Sequence, residues 1–162
     1  MTKKVKRKSL RILVASGVNL DLLGRREPGI YGKETLDEIQ AMLEGAAAAL
    51  AGLAGVGAVD LEFFQTNDEE AYLQKLDDGF DGAVLNPGAW THTSLALADR
   101  LKALSLPYVE VHLSNLAARE DLRKHSFAAP GSVGVVHGFG GESYRLGLYG
   151  LLIRLAKERD SK

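Results

Sequence analysis

YVEVHLSNLAAREDLR, residues Tyr108–Arg123, begins apolar and ends polar. A short apolar run after Pro107 reads as a buried strand, Tyr108–Leu113. Residues two apart on a strand face the same way, so Glu110 and His112 project together. A carboxylate beside an imidazole sets its orientation and tautomer and favours its protonated form, which suits a general acid. Beyond the strand come Ser114, Asn115 and a short helical turn over Leu116–His125 that carries Arg119 and Arg123. Four apart, the two arginines share a helical face. The stretch reads as a site for an anionic substrate that must receive a proton.

Working outward, apolar strand-like runs recur at Leu10–Ala15, Val56–Phe64, Gly82–Leu85 and Ser132–His137. Amphipathic segments separate them. Leu36, Ile39, Leu43, Ala47 and Leu50 fall at helical spacing behind a Thr35/Glu38 capping box. Asn67 with Glu70 is expected to cap a second helix carrying Leu73 and Leu76. Leu97, Leu101 and Leu104 mark a third, and Tyr144–Arg159 the last. Strands alternating with helices imply right-handed crossovers and a parallel sheet. The expected fold class is α/β: a flavodoxin-like, doubly wound, five-stranded parallel sheet in the order 2-1-3-4-5, in three α/β/α layers. Ligands bind such sheets beyond the carboxyl ends of the strands. The runs end there in Ser16-Gly17-Val18-Asn19, Asn86-Pro87-Gly88 and His112-Leu113-Ser114.

The 162 residues, 46% apolar and 25% charged, have the composition of an ordinary globular protein. A net charge of −1 gives no reason to expect nucleic acid or a membrane as partner. The absence of cysteine excludes disulfides, thiolate nucleophiles and thiolate metal sites. MTKKVKRKS, residues 1–9, is basic without the apolar core of a secretory signal, so it is expected to be a disordered tail and residence to be cytoplasmic. Residues 10–162 are expected to form a single catalytic domain, with no linker or repeat.

The loop Asn19–Gly32, NLDLLGRREPGIYG, is longer than usual for its position and reads as a lid. In it a guanidinium from Arg26 can stabilise a Tyr31 phenolate, which makes Tyr31 a candidate base. His92, in NPGAWTHTS (Asn86–Ser94), is a candidate substrate contact. Asp99 is expected about two turns further along the same helix, as a surface charge or a group that reaches a neighbouring subunit. The histidines show no HExxH or HxH pattern, so no metal is expected. Gly138-Phe139-Gly140-Gly141 reads as a strand-to-helix turn, and neither GxGxxG nor GxxxxGK[ST] is present.

In order along the chain, NLDLLGRREPGIYG, FFQTN (Phe63–Asn67), LNPGAWTHTS (Leu85–Ser94), VEVHLSNLAAREDLRKHS (Val109–Ser126) and GFGGESYRLGL (Gly138–Leu148) closely resemble the type II 3-dehydroquinate dehydratases of the shikimate pathway. The resemblance implies a subunit that assembles as trimers into a dodecamer, a tetramer of trimers. It also implies a cofactor-free, metal-free anti elimination of water from 3-dehydroquinate. In that reading Tyr31 is the base, activated by Arg26. Asn19 stabilises the enolate through a water, and His112, oriented by Glu110, is the acid. Asn86, Gly88, His92, Leu113, Ser114 and Arg123 match substrate-binding positions, Arg119 supports the lid, and Asp99 reaches the site across the trimer interface.

One departure bears on chemistry. The family usually reads Asn-Gly-Pro-Asn or Gln-Gly-Pro-Asn where this chain has Ser16-Gly17-Val18-Asn19. Proline fixes φ, so its replacement bears on how rigidly Asn19 is held. A relative that binds the same class of ligand with weak or no turnover is the alternative reading. Ala117 and His137 are smaller departures.

Overall fold

The computed structural model describes residues 9–161. The run Met1–Lys8, which carries almost all of the expected tail, lies outside the described residues. Strand β1 (Leu10–Ser16) lies between β2 (Val59–Gln65) and β3 (Gly82–Asn86); β4 (Tyr108–His112) and β5 (Gly134–His137) follow beyond β3. All pairings are parallel, in the order β2-β1-β3-β4-β5, which is the expected class and order.

Among the described residues, a short helix α1 (Pro28–Tyr31) lies in the loop after β1, and four longer ones cover the sheet: α2 (Leu36–Ala54), α3 (Glu69–Lys75), α4 (Leu95–Leu104) and α5 (Glu142–Asp160). The apolar stripes of α2 and α5 close one face, where Ile39, Leu43, Leu148 and Leu151 meet Ile12, Val84 and Val111. On the other, α3 and α4 bring Tyr72, Leu76, Leu97 and Leu101 against Leu13, Ala83 and Leu85. The central strands β3 and β4 are buried along their whole length, which is why they read as continuous apolar runs rather than alternating ones. Each buried leucine or isoleucine contributes roughly 1.5–3 kcal/mol relative to leaving it in water.

Local chemistry sets the boundaries, and several differ from the sequence expectation; β5, for one, begins at Gly134 rather than Ser132. The capping box forms as read: Thr35 accepts from the Glu38 N–H and Glu38 reaches back to the Thr35 N–H. At its other end α2 runs to Ala54 and stops at Gly55, whose φ of 77° is the left-handed cap conformation, so β2 begins at Val59 rather than Val56. The cap of α3 is Asp68, not Asn67: its carboxylate accepts from the N–H groups of Glu70 and Ala71. His92 ends a 3-10 turn, Gly88–His92, and so does not share a helix with Asp99 on α4. Finally, Leu116–His125 is two 3-10 turns, Leu116–Ala118 and Asp121–Arg123, with Arg119 extended between them. Arg119 and Arg123 therefore do not share a helical face.

Candidate active site

The carboxyl ends of β1, β3 and β4 and the loops beyond them enclose a cleft with about 550 Å³ of empty space, open to solvent on one side. Nearly every residue expected at the site lines it. Asn19, Arg26 and Tyr31 come from the loop after β1, Asn86, Gly88 and His92 from the end of β3 and its 3-10 turn. His112, Leu113, Ser114, Arg119 and Arg123 come from the end of β4 and its turns. The guanidiniums of Arg26, Arg119 and Arg123 line the cleft and no carboxylate does, while Glu27 and Glu120 pair with the three arginines. The cleft is therefore electropositive, which suits an anionic ligand.

The last residue of α1, Tyr31, enters between two arginines. Arg26 Nη2 donates to its hydroxyl oxygen at 3.1 Å and the Arg26 guanidinium lies 4.3 Å from the ring centroid. Arg119 Nη1 donates to the same oxygen at 3.5 Å and to Ser114 Oγ at 3.2 Å. The sequence marks the second arginine, 88 residues away, as an anion-binding and lid-supporting group but gives no sign of its contact with Tyr31. Partial burial works against the charge on Arg119, but Tyr31 and Glu120 more than offset it and hold Arg119 above its ordinary value. Two cationic donors are thus aimed at one phenolic oxygen.

Behind His112, Glu110 is completely buried. His112 Nε2–H donates to Glu110 Oε1 at 2.6 Å, so the carboxylate selects the Nε2–H tautomer and fixes the ring. The other ring nitrogen, Nδ1, is left accessible at the cleft. Thr91 Oγ1 donates to Glu110 Oε1 at 2.5 Å, and Ser126 Oγ lies 2.9 Å from both carboxylate oxygens. Burial pushes the Glu110 carboxyl up; the bond and charge of His112 with the Thr91 and Ser126 hydroxyls more than compensate, leaving it below its ordinary value. Thr91 and Ser126 were not expected here. No sequence signal marks them, because they reach Glu110 from the turn after β3 and the loop after β4.

His92 is placed by the same loops. Its Nδ1–H donates to the His125 carbonyl at 2.7 Å, which leaves Nε2 as an acceptor. Burial, and then the charges of His112 and Arg123, hold His92 below its ordinary value against the opposing effect of the His125 carbonyl. Its ring stacks with that of His112, centroids 6.3 Å apart. Asn86 is orientated from below: its Nδ2 donates to the buried Tyr144 hydroxyl at 3.0 Å, and its Oδ1 accepts from the Gly88 N–H at 3.2 Å. Tyr144, which had no expected role, lies 2.8 Å from Ser16 Oγ as well. Burial pushes its phenol up to about 12, so it holds Asn86 as a neutral group. Gly88 sits at φ 63°, and a Cβ there would come within 2.8 Å of the Val18 carbonyl. This position demands glycine.

Asp99 stands apart. It is exposed on α4 and borders a separate groove with Lys102, Ser105 and Arg154. Among the described residues, no group of three or more His, Asp or Glu side chains could hold a metal ion. No described helix is long and apolar enough to cross a membrane.

Comparison with known proteins adds the family. The chain is similar to the 3-dehydroquinate dehydratase of Prochlorococcus marinus strain MIT 9313, with 49% identity over 90% of this chain and 95% of that protein. It is 50% identical to a 3-dehydroquinate dehydratase of Thermus thermophilus over 85% of this chain and 90% of that protein. Among solved structures, the type II dehydroquinase of Butyrivibrio crossotus DSM 2876 superposes with a TM-score of 0.81 at 34% identity, covering 88% of this chain and 97% of that one. The family model described as dehydroquinase class II matches residues 10–152, and with the cleft and the parallel sheet this means that the chain belongs to the class II dehydroquinases.

Proposed function

We propose that this chain removes water from 3-dehydroquinate to give 3-dehydroshikimate, by anti elimination through an enolate, in aromatic amino-acid (chorismate) biosynthesis. The observation that carries the reading is the convergence on one cleft of a phenol flanked by two guanidiniums and an imidazole backed by a buried carboxylate. Tyr31, as phenolate, takes the proton next to the ketone, and Arg26 and Arg119 stabilise its charge before that transfer. The electrons left behind form the enolate, whose oxygen Asn19 stabilises through a bound water. The enolate then collapses, the C–O bond to the hydroxyl breaks, and His112 delivers a proton so that water departs. Glu110 balances the imidazolium charge and keeps the ring aimed.

Asn86, His92 and Ser114 bind ring hydroxyls and the carboxylate, Leu113 contributes its backbone, Gly88 shapes the turn, and Arg123 provides positive charge. The chain works without cofactor or metal, in the cytoplasm, as a dodecamer built from trimers. Asp99 then acts in a neighbour's site. Its exposure outside its own cleft supports this, as do the exposed Leu95 and Phe139, 61% and 62% accessible.

The product is a conjugated enone and the substrate is not, so ultraviolet absorbance follows the reaction directly. The expected result is a steady rise with wild-type protein and none with Tyr31→Phe, whose ligand binding stays measurable by calorimetry. Unchanged turnover in Tyr31→Phe refutes the base assignment, and binding without turnover in the wild type favours a ligand-binding relative.

A further inference from the structure

The end of the FFQTN stretch contains two side chains, Gln65 and Asn67, that the reaction leaves unused. They face the junction between β1 and the lid. Gly17–Leu20 is a β-turn, closed by the Leu20 N–H donating to the Gly17 carbonyl at 3.3 Å. Its third residue, Asn19, has φ 64° and ψ 6°, and Val18 before it is not among the residues of positive φ. That combination is a type II turn. Asparagine tolerates the left-handed position without preferring it, and valine leaves the φ of the preceding position unfixed.

What holds the turn comes from β2. Asn67 Oδ1 accepts from the Asn19 N–H at 2.7 Å. Asn67 Nδ2 donates to Asp21 Oδ1 at 3.3 Å. Gln65 Nε2 donates to the Gly17 carbonyl at 3.2 Å and to Asn67 Oδ1 at 3.3 Å. Asn67 is free for this because Asp68, and not Asn67, caps α3.

We propose that Asn67, supported by Gln65, is a positioning residue that latches the type II turn presenting Asn19 to the cleft. The latch supplies the rigidity that a proline at Val18 would otherwise supply. Its effect on catalysis rests on the role given to Asn19 above.

The test compares wild type, Asn67→Ala, Val18→Pro and the double variant, each assayed with 3-dehydroquinate. Asn67 is exposed and contributes nothing to the core, so the variant keeps its fold. Asn67→Ala is expected to lower kcat by about 10- to 100-fold, the cost of a misplaced group near the chemistry, while KM changes much less. Val18→Pro in that background is expected to restore most of the loss. Proline suits the second position of a type II turn, and the Val18 N–H that it removes has no partner among the described residues. Amide hydrogen exchange at Leu20, whose N–H closes the turn on the Gly17 carbonyl, faster in Asn67→Ala and slowed again by the proline, reads the latch independently of turnover.

Asn67→Ala with kcat within about twofold of wild type overturns the catalytic consequence. A loss that the proline leaves unrepaired overturns the turn as its cause. Unchanged exchange at Leu20 overturns the latch itself. Wild-type protein that does not turn over 3-dehydroquinate refutes the proposed reaction, and the exchange measurement then still decides the latch.

Discussion

Replacing Glu110 by glutamine removes one charge from the site and little else. Glutamine keeps the shape of the side chain and an oxygen that accepts from His112 Nε2–H. Thr91 still donates to that oxygen, and the Ser126 hydroxyl can turn to accept from the new amide hydrogens at the other position. The fold is therefore retained while the imidazolium loses its buried counter-charge. A hydrogen bond to a charged group is worth roughly 1.5–3 kcal/mol, against about 1 kcal/mol for a neutral one. Glu110 is wholly buried and its bond to His112 is 2.6 Å long, so the upper part of the range applies. The neutral bond that remains offsets part of this, so roughly 1–2 kcal/mol of support for the proton-delivering state is lost, and at about 1.4 kcal/mol per factor of ten turnover slows by about 5- to 30-fold. The assay is the initial rate of enone absorbance at saturating 3-dehydroquinate, with substrate affinity measured separately. A large drop in kcat with affinity within a few-fold is expected. A Glu110→Gln variant turning over within about threefold of wild type would falsify the view that the carboxylate supports the acid by its charge.

Three further results are expected. Because the Glu110 carboxyl lies below its ordinary value in the folded chain, its ionisation contributes stability that is fully present above the unfolded carboxyl's pKa of about 4.3 and is lost as pH falls through the lower folded value. Acid denaturation followed by circular dichroism should thus be steeper below about pH 4.3 in wild type than in Glu110→Gln, and identical profiles would contradict the assignment. Gly88→Ala forces a Cβ against the Val18 carbonyl at a positive φ and should cost about 1–3 kcal/mol, visible as a lower Tm, whereas an unchanged Tm would show that the turn yields. No lysine lines the cleft, so borohydride added with substrate should leave activity intact, and a covalent lysine adduct in the mass spectrum would point to Schiff-base chemistry instead.

Much was legible in the chain itself, because the relevant physics is local. Strand alternation put Glu110 and His112 on one side whatever the rest of the fold did. Continuous apolar runs marked β3 and β4 as strands buried on both faces, and the Thr35/Glu38 box fixed where α2 starts. Alternating strands and helices then left the doubly wound sheet as the economical arrangement, with polar residues at the strand ends. The loop itself offered Tyr31 and Arg26 as a base and its support, and recognition of the five motifs added the substrate.

What the sequence could not decide lies between residues far apart in the chain. Arg119 meets Tyr31 across 88 positions, Tyr144 holds Asn86 across 58, and Asn67 reaches Asn19 across 48. Thr91 and Ser126 close on Glu110 from two different loops. The same short-range rules misplaced the α3 cap and put Arg119 and Arg123 on one helical face. A side chain's partner across the cleft depends on strand order, register and the path of each crossover. None of these is encoded in the spacing of neighbouring residues, so only the assembled sheet could bring the base, the acid and the groups that aim them to one edge.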